Sequence, residues 1–94
     1  MQTNLSITVS PVNYPNYLRI TATKEAAQNS KPEHEQWVKA SDAKRMNEKD
    51  LSSDKVLNIS IPDLDSERYC IRFYDADTYG SIGILSHEMM IIAG

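Results

Sequence analysis

The chain has 94 residues, of which 40% are apolar and 24% charged, with a formal net charge of −3. A composition this ordinary excludes disordered and collagen-like classes, and the length suits one domain that buries ~60–65% of its unfolded surface around a single core. The charge is uneven: Lys24 to Lys55 holds seven acids and seven bases, whereas the residues after it hold six acids against Arg68 and Arg72, and no Lys/Arg stripe of the kind a nucleic acid needs is present.

Leu5, Ile7 and Val9 alternate with Ser6, Thr8 and Ser10, which predicts a strand from about Asn4 to Ser10, ended by Pro11. Residues 11–17 are dense in Pro and Asn, residues that preset or tolerate turn dihedrals. They lead into a second strand with Leu18, Ile20 and Ala22 on one face, so an opening hairpin is expected. From Lys24 to Glu35 the periodicity dissolves into a polar connection containing His34. A short third strand over Gln36 to Ala40 centres on Trp37, a large ring expected to fill the space between two sheets. Ser41 or Asp42 can cap a short helical turn over 42–50, where Lys44 and Glu48 sit four apart.

The clearest pattern follows. Leu57, Ile59 and Ile61, then Tyr69, Ile71 and Phe73, fall on every second position across the turn at Pro62 to Ser66. Two half-buried antiparallel strands require this, because successive side chains point to opposite faces. A last strand over Ile84 to Ile92 gives six to seven short strands without a long amphipathic helix. The expected fold is all-β, a small antiparallel two-sheet sandwich of immunoglobulin-like or fibronectin-like plan, in a single domain over 1–94. The segment Leu64 to Phe73, with Tyr69 entering a strand directly after a turn, resembles the corner of fibronectin-type and transthyretin-like sandwiches. The likeness covers about ten residues and implies fold alone.

Several residues could carry a function. Asp75 and Asp77 stand one residue apart in a segment containing Gly80, where both carboxylates could turn toward Ca²⁺. The twelfth position counted from Asp75 is Ser86, which fails the EF-hand requirement for a bidentate acid. Strand alternation puts this segment at the same end as residues 11–16, so Asn13, Tyr14, Asn16, Asp75, Asp77 and Tyr79 form a candidate recognition end for a protein or a glycan. Asp63 and Asp65 belong to the opposite end, one strand of roughly 25 Å away.

Cys70, the only cysteine, rules out an internal disulfide, and Arg68 and Arg72 on its own side favour thiolate. A nucleophile also needs a base, and the spacing brings neither His34 nor His87 to it. His87 and Glu88 face opposite ways, and no phosphate loop or serine elbow occurs, so no enzyme is expected.

The closing strand, with Met89, Met90 and Ile92, is apolar on both faces and at a sheet edge would pair with a second copy of the chain. The expectation is therefore a non-enzymatic interaction module, with a Ca²⁺-dependent binder as the alternative and otherwise no cofactor. The sequence shows neither a transmembrane segment nor a signal peptide, which points to the cytosol; a leader outside this sequence would redirect the chain to secretion. Asn4-Leu5-Ser6 and Asn58-Ile59-Ser60 match the glycosylation pattern, but within strands and without a secretory signal they read as chance.

Overall fold

The computed structural model of the chain describes residues 2–9, 17–27, 31–76 and 82–93. Seven strands run in chain order: β1 Thr3–Val9, β2 Tyr17–Lys24, β3 His34–Lys39, β4 Lys44–Arg45, β5 Lys55–Ile61, β6 Arg68–Ala76 and β7 Ile82–Ile92. All pairings are antiparallel. They make a three-stranded sheet in the order β1-β5-β4 and a four-stranded sheet in the order β3-β2-β6-β7. The protein is a small two-sheet sandwich.

The alternation in the sequence explains which sides face inward. Ile7 and Val9 of β1 and Leu57, Ile59 and Ile61 of β5 pack against Leu18, Ile20 and Ala22 of β2 and Tyr69, Ile71 and Phe73 of β6. Ile20, Ile61, Ile71 and Phe73 are wholly buried, and each such side chain contributes about 1.5–3 kcal/mol relative to exposure. Tyr69 is equally deep, and its hydroxyl oxygen accepts a hydrogen bond from the Asp65 amide at 3.1 Å. This gives the one polar atom of the ring a partner and ties the turn to the start of β6. Asp63 in that turn adopts φ 56°, a left-handed conformation that Asp tolerates.

Four expectations are corrected. First, β1 and β2 do not form a hairpin: β1 pairs with β5, whereas β2 pairs with β3 and β6, so the chain crosses between sheets after β1. Second, β3 begins at His34 rather than Gln36, and His34 Nε2 lies 2.6 Å from Gln36 Oε1. Third, the helical turn is a 3₁₀ turn at Ala40–Asp42 followed by β4 and a hydrogen-bonded loop. Asn47 and Asp50 compete there with helix by capping amides two residues on. Fourth, Trp37 points away from the core, because its register partner Arg19 alternates with the inward Leu18 and Ile20.

Only residues 40–43 separate β3 from β4, so those two edge strands share one flank of the sandwich and β1 and β7 share the other. Ala40 and Ala43 are buried where the chain steps from sheet to sheet.

Candidate functional site

On the outer face of the four-stranded sheet, register builds side-chain rows that run across strands distant in sequence. Trp37, Arg19, Tyr74 and Leu85, from β3, β2, β6 and β7, form one row. Glu35, Thr21, Arg72 and Glu88 form the next, and Thr23, Cys70 and Met90 the one after it. Ile92, opposite Arg68, closes the face. Four of the exposed large apolar side chains lie on this face, Trp37 at 40% exposure on the edge strand β3 and Leu85 at 43%, Met90 at 44% and Ile92 at 79% on the opposite edge strand β7.

Leu85 joins this face through an irregularity. His87 pairs with Phe73 while Leu85 pairs with Tyr74, so Ser86 is an extra residue that reverses the alternation. Its hydroxyl donates to the Phe73 carbonyl at 3.2 Å. A side chain expected on the face of His87, Met89 and Ile91 is thereby turned outward. Farther on, β6 and β7 approach so closely that a Cβ at Gly83 would lie 2.9 Å from the Asp75 carbonyl oxygen; a larger residue there would force the strands apart.

The polar members are fixed by one another. Arg19 Nη2 donates to Glu35 Oε2 at 2.7 Å, and Trp37 Nε1 donates to Glu35 Oε1 at 3.2 Å. The Glu35 carboxyl is held below its ordinary range, first by the Arg19 hydrogen bond and then by that of Trp37. The Arg19 guanidinium carbon stands 5.6 Å from the Tyr74 ring centroid, within cation–π range. Arg72 Nε donates to Glu88 Oε2 at 3.0 Å, which raises the guanidinium's affinity for its proton. Arg19, Glu35, Trp37, Arg72 and Glu88 thus hold one another's side chains in place.

The other expected site residues fare unequally. Asn13, Tyr14, Asn16, Asp77 and Tyr79 lie outside the described residues. Asp75 is not in a loop: it stands in β6 opposite Leu18 and is half-buried. Tyr17 pairs with both Ala76 and Lys39, so the chain segments flanking residues 10–16 and 77–81 do meet at one end. Among the described residues no three His, Cys, Asp or Glu side chains gather as a metal would need. Asp65 is engaged with Lys24 at 3.2 Å. Met90 and Ile92 face outward, but Met89 belongs to the inner side, half-buried against the core.

The thiol of Cys70 is enclosed at the floor of the outer face, and burial pushes its pKa up, with Arg72 opposing only in part. This reverses the expectation of a thiolate. His34 pairs with the inward Ala22 and His87 packs edge-on against Phe73 at 6.0 Å, so both imidazoles are on the side of the sheet away from Cys70. A shallow depression lined by Glu25, Ala26, Glu67 and Arg68 holds the Arg68–Glu25 pair at 3.0 Å, and its charges answer each other.

Sequence reasoning did not assemble Trp37, Arg19, Tyr74 and Leu85. The signal for three of them was available as parity: each is one step out of phase with a core residue of its strand. No helix among the described residues is long and apolar enough to cross a membrane. Comparison with known protein families, curated proteins and solved structures found no significant match to the chain.

Proposed function

We propose that the protein is a non-enzymatic interaction module on an immunoglobulin-like plan, and that it joins a second copy of itself along β7 and the adjoining outer face of the four-stranded sheet. The observation that carries this reading is the exposure of Leu85, Met90 and Ile92 along the outer side of β7, the edge strand of the four-stranded sheet. Apolar side chains along an unpaired edge lose water when a second strand covers them.

Self-association is favoured over an unrelated partner by the make-up of β7. It is an edge strand of 11 residues whose single charged side chain, Glu88, is bonded to Arg72, and natural edges are ordinarily blunted with charge or shortness. A twofold axis normal to the sheet and centred at Met90 would set Met90 against its counterpart and Glu88 against Ile92 of the second copy, which avoids like charges face to face. The immunoglobulin-like plan is supported by the tyrosine corner at Tyr69 and by the distribution of three and four strands between the sheets. The absence of catalysis is supported by an enclosed Cys70 thiol and by imidazoles on the opposite side of the sheet.

Sedimentation over a range of concentrations tests the proposal. A monomer–dimer equilibrium that Met90→Lys weakens and Asn58→Lys does not is the expected result. A chain that stays monomeric at millimolar concentration would sink it.

A further inference from the structure

The two flanks of the sandwich are finished differently. On one, β4 is two residues long and both are basic, β3 carries Glu35 and Lys39, and the step through Ala40–Asp42 covers the join. On the other, β1 runs for seven residues with no charged side chain at all, and among the described residues no strand pairs with its outer edge. Every second residue of a strand with one neighbour directs its amide and carbonyl away from that neighbour, so this edge offers a row of backbone donors and acceptors.

Side-chain burial marks the same place. Tyr69 and Ile71 are buried to 1% exposure or less, but their partners on β7, Ile91 and Met89, are only half-buried although they face the core. Leu5 of β1 is half-buried as well, whereas Ile7 and Val9 farther along the strand are not. The three-stranded sheet has one strand fewer than the four-stranded sheet, and β1 and β7 are the last strands of their sheets on this flank.

We propose that this flank is a strand-acceptor site. Its occupant is an extended segment of another polypeptide, uncharged and with apolar side chains at alternate positions, which hydrogen-bonds to the free edge of β1 and lays those side chains over Leu5, Met89 and Ile91. The period of two matches the pleat, and main-chain bonds supply affinity while the alternate side chains supply selectivity. A charged segment is disfavoured because its inward side chains would meet the apolar row of Leu5, Met89 and Ile91; the titratable groups on the inward side of β6 and β7 are His87, stacked on Phe73, and Asp75, opposite Leu18 farther along. The site needs neither the outer face of the four-stranded sheet nor pairing along β7.

The test uses the full chain carrying Met90→Lys and Ile92→Glu, which weakens the proposed association along β7 with like charges, and an acetylated peptide of alternating Thr and Val with one Lys at each end. Amide hydrogen exchange at alternate residues of Thr3–Val9 is expected to slow by about tenfold or more at saturating peptide. The Met89 methyl resonance should shift at the same time, and a peptide with proline at alternate positions should do neither. Leu5→Ala, or Met89→Ala if the former lowers the melting temperature too far, should weaken peptide binding by about fivefold. Unchanged exchange in β1 at millimolar peptide, or protection confined to β3 or β7, would overturn the proposal.

Discussion

The two outer faces of the sandwich are built on the same period and end up with opposite characters. On the three-stranded sheet, Ser60 donates to Asn4 at 2.8 Å and Ser6 donates to Asn58 at 2.6 Å, directly across the β1–β5 pair. The two glycosylation-like tripeptides are thus facing partners in a neutral polar ladder. On the four-stranded sheet the corresponding positions hold Trp37, Arg19, Tyr74, Leu85 and Met90. Alternation fixes what goes inside both sheets, but only the outward half of each pattern separates a neutral polar wall from a face with exposed apolar side chains. Small polar groups bonded to one another have little to gain from a partner; half-exposed aromatic and thioether groups lose water when they find one.

Substitutions can break this contrast. The largest effect is expected for Met90→Lys combined with Ile92→Glu, which sets lysine against lysine and the new carboxylate against Glu88 in the proposed contact: self-association should weaken by about 100-fold or more, close to 3 kcal/mol. The melting temperature should move little, since both side chains are exposed. Leu85→Ala comes next, at about threefold in the association constant, read by the same sedimentation series. On the polar face, Ser6→Ala with Asn58→Ala should leave association untouched and cost about 0.5–1 kcal/mol of stability in urea titration; a loss of association there would dissolve the distinction between the faces.

The smallest effect is electrostatic. The Glu35 carboxyl is depressed by Arg19 and Trp37, so its contribution is present above the unfolded value near ~4.3 and is lost as pH falls through the lower folded value. With Glu35 43% exposed, solvent screening keeps this to well under about 1 kcal/mol. Melting temperature should fall slightly more steeply between about pH 5 and pH 3 in the parent than in Glu35→Gln. An identical slope would separate the ordered Arg19–Glu35 pair from stability altogether.

Much of the fold was legible because it rests on side-chain alternation, a local property. Lys55–Ile61 is a strand over the expected residues, and the inward sets of β2 and β6 are those the spacing picks out. Partner choice is not local: nothing in residues 3–9 says that they pair with residues 55–61 instead of with the next strand. The same limit hid the candidate site. The size of Trp37 points to the interior, whereas its parity relative to Val38 places it outside. Leu85 could not be read at all, since an extra residue at Ser86 changes the phase within β7 without any change in residue type. Met90 and Ile92 were legible as an apolar edge because they follow that irregularity and keep step with each other.

The route of the chain also sets the order in which the molecule can come apart. The flank holding β3 and β4 is stitched by a few consecutive residues, while β1 is held by β5 alone, 46 to 58 positions away. Among the described strands β2 and β6 each have two hydrogen-bonded neighbours and β1 has one, so β1 has fewer bonds to break on the way out. A gentle pull on the amino-terminal end would unzip that strand from β5 first, leaving the four-stranded sheet momentarily standing alone.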